Sequence, residues 1–318
     1  MERRRFLVQG GKATALAAAT GGVAWAFHDR IPSRNRTIHV KKIDFEVPGD
    51  PLLPGLALAR NPDDPVQALR GALDAMGGIR RFVQPGERVT IKPNVGWDRT
   101  PEQAANTNPH LVGEMVRLCL AAGASQVIVT DHTCNDPRRT FLRSGIREAV
   151  EAAGGTILLP QEEDYVDVAI GGEVLGVWPV LRQAIYTDRF INMPITKHHR
   201  LSGCTVGMKN HYGILGGRRG ALHQKIDLSI VELARFVRPT LTVVDNTRVL
   251  LRSGPQGGSL DDVERRDAVI VATDPVAADA RACEFLGLSP EQVGHIAAAH
   301  AAKLGTLYYP EAGFAEVP

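Results

Sequence analysis

Chemistry-bearing residues crowd into one stretch of this chain. Between Asn192 and Lys225 stand His198, His199, His211 and His223, four of the ten histidines, together with Cys204, six Lys or Arg, six Gly and no Asp or Glu. Imidazole can ligate a transition metal or move a proton near neutral pH. A lysine among cationic neighbours and glycines can hold an anion as an ammonium or, with its pKa pushed down, act as a nucleophile. Glycine lets backbone N–H groups close on a ligand. Within the stretch His199 and Lys209 stand out as catalytic candidates, with His199 and His223 as metal ligands and Cys204 in reserve. Lys209, Gly203, Gly207, Gly213 and Arg218 are the candidate cofactor-binding positions. His198 and His199 are neighbours that point apart, so they do not share one ligand. A basic segment this rich in glycine and free of acids predicts irregular backbone and poor core material.

The elements that must position these groups alternate between strand and helix. Strands are predicted at 37–43, 88–92, 126–130, 156–159, 189–193, 240–244 and 268–272, with a hairpin over 166–177. Helices are predicted from Pro65 to Gly77, from Pro109 (capped by Asn108) to Gly123, over 137–153, 227–236, 275–286 and 290–303. Apolar strands alternating with helices predict an α/β fold: a mostly parallel sheet with helices on both faces, either one domain or two lobes meeting near residues 160–190. In such sheets ligands sit beyond the carboxyl ends of the strands. Lys92 with Asn94, Asp131 with His132, and Thr196 to His199 follow three of those ends. Asp245, Asn246 and Arg248 follow a fourth, and Thr273 with Asp274 a fifth. Lys92 and Asp131 therefore join the catalytic candidates, Asn94 the cofactor-binding ones and His132 the metal ligands. Asp274, standing before Pro275, reads as a helix cap, and His295 and His300 read as surface or packing residues of the last helix.

Composition narrows the function. At 44% hydrophobic and 23% charged, the 318 residues suit a globular chain. Arg3, Arg4, Arg5 and Lys12 against Glu2 give residues 1–26 a net +3, which leaves the remainder of the +2 chain at −1. No nucleic-acid or membrane-surface binder is expected from that balance. Arg3-Arg4-Arg5-Phe6-Leu7, the mild apolar run to Phe27 and Ala24-Trp25-Ala26 resemble a twin-arginine export signal, with the signal cleaved or kept as an anchor. The run is too short and glycine-rich for a stable transmembrane span. The four cysteines (119, 134, 204 and 283) are widely spaced with no C-x-x-C, so no zinc ribbon or ferredoxin-type motif is present. Cys119 and Cys283 read as core, and Cys134 and Cys204 as loop residues. Neither phosphate-loop nor dinucleotide, serine-hydrolase or zinc-protease motifs occur.

Val89–Asn94, Thr107-Asn108-Pro109, Val127–Asp131, Thr196-Lys197-His198, Met208-Lys209-Asn210 with Gly213, His223, Val244-Asp245, Gly254-Pro255 and Thr273–Asp279 together resemble the bacterial and archaeal domain of unknown function 362. The resemblance divides the chain into a signal peptide (1–26), an N-terminal extension with the first helix (27–84), the α/β domain (85–305) and a C-terminal tail (306–318). It brings an iron–sulfur association with it, although the iron–sulfur segment of many members is missing here. A second, local resemblance runs through His199, Gly203, Gly207, Lys209, Gly213 and His223 to lactate racemases of the nickel-pincer type. It implies Lys209 as tether of a metal-containing organic cofactor, His223 as metal ligand and His199 as acid/base. The expected function is thus an exported protein that binds a metal or metallo-organic cofactor and works in redox or hydroxy-acid chemistry. Two alternatives stand beside it. One is a non-catalytic binder of a small anionic molecule through Lys92, Lys209, Arg218 and Arg219, and the other an assembly factor for another exported cofactor enzyme.

Overall fold

The computed structural model describes residues 37–40 and 42–317. Residues 1–26, read above as resembling an export signal, lie outside them. Residues 38–318 form one compact unit.

Alternation along the strands creates two cores, one on each face of a large sheet. On Leu56–Arg60 (β1), Leu56 and Leu58 enter one apolar cluster while Ala57 and Ala59 enter the other. Phe190 and Ile191 divide in the same way on Arg189–Met193. The period of two puts successive side chains on opposite faces, and helices cover both. Helix α1 (Pro65–Ala75) starts where the Asp64 carboxylate accepts the Val66 N–H at 2.8 Å, and it buries Ala68, Leu69, Ala72 and Leu73 on one side. Strand β2 (Arg88–Pro93) leads to α2 (Pro109–Ala121), and β3 (Gln126–Thr130) to α3 (Pro137–Arg143) and α4 (Ile146–Ala152). Strand β4 (Thr156–Leu158) closes that side of the sheet. Helices α1, α2 and α4 lie against one cluster.

Beyond a two-stranded sheet, β5 (Tyr165–Gly171) with β6 (Gly176–Leu181), the chain returns through β7 (Arg189–Met193). The hairpin β8 (Ile195–His199) and β9 (Gly203–Thr205) follows, then the one-turn helix α5 (Gly207–Asn210). Helix α6 (Ile226–Phe236), long strands β10 (Leu241–Leu250) and β11 (Val263–Ala272), helices α7 (Pro275–Cys283) and α8 (Gly294–Ala301) and strand β12 (Phe314–Val317) complete the unit. Helices α6 to α8 pack on the other cluster. The sheet order is β12-β1-β11-β10-β7-β2-β3-β4, with β8 attached to β10 and β9 to β8. Every strand on that path runs the same way except β11, which is antiparallel to both neighbours.

Several expectations change. The helix predicted over 137–153 breaks at Gly145, whose φ of 72° is the left-handed region that suits glycine. The strand predicted at 37–43 shrinks to a bridge at Ile38 and a pair of residues, Ile43–Asp44, beside Val237–Arg238. The hairpin at 165–181 forms its own sheet. Strands expected at 240–244 and 268–272 are each ten residues long. Asp245, Asn246 and Arg248 therefore lie within β10. Because β11 is antiparallel, Thr273 and Asp274 leave the sheet at the edge opposite the other strand ends, and Asp274 caps α7. Strand β1 with α1, and strand β12, extend the same sheet into segments 27–84 and 306–318. Among the described residues no helix is long and apolar enough to cross a membrane.

Candidate functional site

A cavity of about 530 Å³ opens beyond the carboxyl ends of β2 and β3, roofed by the segment that follows β7. The hairpin in that segment decides which side chains enter it. In the antiparallel register Lys197 faces Thr205, His199 faces Gly203 and His198 faces Cys204. Directly opposed residues share a face and neighbours alternate. Lys197, Thr205 and His199 accordingly line the cavity, while His198 and Cys204 turn away. His198 uses Nδ1 to accept the Gly254 N–H at 3.2 Å. Cys204 is fully buried in the core, where burial pushes its thiol well above the ordinary range. The segment from Asn192 to Lys225 is thus not irregular. A hairpin, a helical turn and buried Met208, Ile214 and Leu215 make it part of the core.

On the sheet side, Lys92 at the end of β2 is 1% exposed and lies 2.8 Å from Asp131 Oδ1, an ion pair off the axis of a directed hydrogen bond. Its ammonium also donates to the Pro93 carbonyl at 2.9 Å and to Asn210 Oδ1 at 3.0 Å. Burial lowers its pKa and Asp131 opposes that shift. The other Asp131 oxygen accepts the Val95 N–H at 2.7 Å. Gly213 covers the pair so closely that a Cβ there would stand 1.7 Å from Asp131 Oδ1 and 2.6 Å from Lys92 Nζ. A chain of side-chain amides runs beneath the floor in one direction. Lys197 donates to Asn94 (2.8 Å), Asn94 to Asn210 (2.9 Å), Asn210 to Asn192 (2.8 Å) and Asn192 to the Gly207 carbonyl (2.9 Å). Lys197 thereby connects to the turn that carries Lys209.

On the loop side, Lys209 is 8% exposed, and among the described residues its ammonium meets only the ring of Tyr212, 3.7 Å from the centroid. A ring face attracts the charged form. Burial, Arg219, Lys197 and Lys92 act the other way and bring its pKa down to about 7. His223 meets Tyr212 edge-on and stacks on His199 at 5.9 Å. His199 Nδ1 accepts the N–H groups of Leu201 and Ser202 at 3.3 and 3.2 Å. That bonding leaves the proton of the neutral ring on Nε2, so His199 presents a donor, and metal ligation through Nε2 would require the opposite tautomer. Burial, then Lys209, lowers its pKa to about 3, which keeps it neutral. His223 engages the backbone at Gly220 and Arg219, contacts that favour its protonated form, although burial lowers its pKa overall. Two buried carboxylate contacts set the turn itself: Asp279 accepts the N–H groups of Gly207 and Met208 at 2.7 and 3.1 Å.

Of the residues singled out in the sequence, the cavity brings together Lys92, Asn94, Asp131, His132, His199, Lys209, Gly213, Arg218 and His223. Gly203, Gly207 and Cys204 do not line it. Gly207 packs on Asp279 instead, and Gly203, opposite His199, takes a φ of 74° beside Leu288 and Val293. Asp245 is also spent elsewhere, holding Asn108 N and Thr247 at the start of α2. His132 is held by the Tyr165 hydroxyl on Nδ1 at 2.6 Å and by the Leu215 backbone, and burial lowers its pKa to about 4. Among the described residues no three His, Cys, Asp or Glu side chains gather to hold a metal ion, so His132, His199, Cys204 and His223 do not form one ligand shell. His211 is buried against Phe190 rather than in the cavity. His295, expected as helix surface or packing, is fully buried 3.5 Å from Asp227. Tyr212 and Trp97 were not singled out, and Lys197 and Arg219 were named only within a strand-end motif and the anion-binding alternative, yet all four line the cavity. For Lys197 the signal was available: two residues before His199, it shares that residue's face in an extended chain.

Residues 89–284 match the family described as domain of unknown function (DUF362). A thylakoid-associated protein of Synechocystis is 25% identical over 241 residues, which is 73% of each chain. Two solved structures align at a TM-score of 0.43. One is the lactate racemase apoprotein of Thermoanaerobacterium thermosaccharolyticum, at 14% identity over 79% of this chain and 58% of that one. The other is a Thermotoga maritima protein from structural genomics, at 12% identity over 71% of this chain and 59% of that one. The chain thus spans less than two thirds of either solved chain.

Proposed function

This chain belongs to the family described as domain of unknown function (DUF362), a description that carries no activity, and from its cavity we propose an enzyme that holds a small anionic organic cofactor anchored on Lys209. One observation carries the reading. Lys209 is a buried amine without a carboxylate partner among the described residues, surrounded by cations and turned into a cavity large enough for an organic molecule. An amine held near its neutral form can attack an electrophilic carbon or acyl group, which is what a covalent tether requires.

The residues present fit a metal-containing organic cofactor in part. Lys209 would be its attachment point and Lys197 and Arg218 would balance its charge. His223 is the candidate metal ligand. When bound, such a group would accept an electron pair from the substrate, which suits redox or hydroxy-acid chemistry. The protein's own residues then have separable duties. His199 keeps its Nε2–H as an available donor, Trp97 and Tyr212 supply flat apolar walls, and Lys92 with Asp131 keeps the floor rigid. Simple anion capture by Lys92, Lys209, Arg218 and Arg219 fits less well. Lys92 has its donors engaged, and Arg219 donates to the carbonyls of His132, Tyr212 and Thr133.

The test is intact mass and elemental analysis of protein purified from its native host, allowing for processing at the N-terminus. The expected result is added mass that maps to Lys209, accompanied by metal. An unmodified Lys209 in metal-free protein would overturn the reading. Export through the twin-arginine machinery is part of the same proposal. Replacing Arg3 and Arg4 by Lys should leave the protein in the cytoplasmic fraction, and unchanged fractionation would remove that part.

A further inference from the structure

Lys197 poses a separate electrostatic problem. It is 1% exposed, and its ammonium donates to two neutral acceptors, Asn94 Oδ1 at 2.8 Å and the Ala105 carbonyl at 2.6 Å. Among the described residues no carboxylate pairs with it, since Asp131, the one acid of the cavity wall, is taken by Lys92. An ammonium has three donors, so one N–H is left for the cavity that Lys197 lines. A buried charge without a counter-charge is costly, and a bound anion relieves that cost.

The hairpin places a second donor beside it. Thr205 stands directly opposite Lys197, 4% exposed and lining the same cavity, and its hydroxyl has no protein partner among the described residues. A lysine N–H and a free hydroxyl on one face, at cross-strand spacing, form a pair of donors of the kind that receives an oxyanion. Asn94 holds the lysine from behind, and Asn210 and Asn192 hold Asn94 through the amide chain. Lys209 neighbours Asn210 on α5, but its own ammonium is not a member of that chain.

We infer that Lys197 and Thr205 form an oxyanion subsite that receives a carboxylate or phosphate group of the molecule bound in the cavity. The inference rests on the cavity being the small-molecule site and adds the group by which the occupant is recognised. It does not depend on covalent chemistry at Lys209.

The experiment is calorimetric titration of the full chain with inorganic phosphate and, in a second arm, with oxalate. The arm that binds more tightly identifies the oxyanion. Replacing Lys197 by the near-isosteric Met should weaken that probe by about tenfold or more, as expected for a lost hydrogen bond to a charged group. Thr205→Val should weaken it by about threefold, a smaller loss suited to a neutral hydroxyl. Arg218→Gln, at an exposed cation of the cavity mouth, measures the long-range field. A loss at Lys197→Met larger than at Arg218→Gln supports contact. An equal or smaller loss, unchanged affinity in Thr205→Val, or binding of neither probe by the wild-type chain overturns the subsite. If Lys197→Met fails to fold in a thermal melt, Thr205→Val alone decides. Absence of an adduct on Lys209, read by mass, would remove the anchor while leaving this result standing.

Discussion

Lys92 and Lys209 line the same cavity, yet the two regions that carry them treat a buried amine in opposite ways. The sheet end surrounds Lys92 with Asp131, a carbonyl and an amide, and Gly213 seals the group. The loop end gives Lys209 an aromatic face and cationic neighbours instead. Both groups lost water on burial, but only Lys92 received compensation. The sheet side therefore acts as a framework whose charges are already spent, and the loop side keeps its reactive groups unspent. Beneath the loop, Asp279 grips the turn through two backbone N–H groups, so the freedom of the Lys209 amine does not come from a loose backbone.

The widest separation should appear in amine chemistry. With a pKa of about 7, Lys209 carries on the order of a thousandfold more free amine at neutral pH than an ordinary lysine. Labelling with an amine-reactive reagent, followed residue by residue in peptide mass spectra, should show Lys209 rising with a midpoint near neutrality. A midpoint in the ordinary lysine range would erase the contrast. The framework half is tested by Asp131→Ala, which leaves Lys92 buried and unpaired and should cost about 3–5 kcal/mol in urea unfolding. A cost under about 1 kcal/mol would show that the pair is not what holds the floor.

Gly213→Ala drives a methyl into that pair and should cost about 1–3 kcal/mol by thermal or urea unfolding. Unchanged stability would mean that the floor yields easily. A pH-dependent effect comes from His211, fully buried, its pKa lowered by burial to about 3. A depressed pKa contributes stability that is complete above the unfolded value near 6.5 and is lost as pH falls toward about 3. His211→Phe should therefore flatten the acid side of the stability curve over that window, and a curve parallel to the wild type would refute this. The smallest effect is expected at His198, which faces away. His198→Ala should change phosphate or oxalate affinity by less than about twofold, and a larger loss would contradict the register that separates it from His199.

Much of the fold could be read in the sequence because local rules coincide with the tertiary outcome. Asp64-Pro65, Asn108-Pro109 and Asp274-Pro275 start helices as capping chemistry requires. Continuous apolar strands imply burial on both faces. Asp245 was placed beyond a strand end because β10 was predicted five residues long, whereas its pairing with β11 carries it on to Leu250, and Thr273 joined the other strand ends because the antiparallel direction of β11 is set by pairing rather than by composition. Cys204 and Gly203 were taken for loop residues because the hairpin that places them is short and lies in a glycine-rich segment.

By itself the sequence determined the inventory of this site. Its histidines, lysines and glycines were concentrated in one acid-free stretch, with Lys92 and Asp131 at strand ends, because residue type and strand period are local properties. Only the tertiary structure decided which of those groups are free. Lys92 and Lys209 look equivalent in the chain, and Lys197 stands in a strand-end motif beside two histidines with no role attached to it. Whether a buried amine has a carboxylate within reach depends on contacts between residues far apart in sequence. Those contacts leave Lys92 satisfied and the amines of Lys197 and Lys209 without a counter-charge.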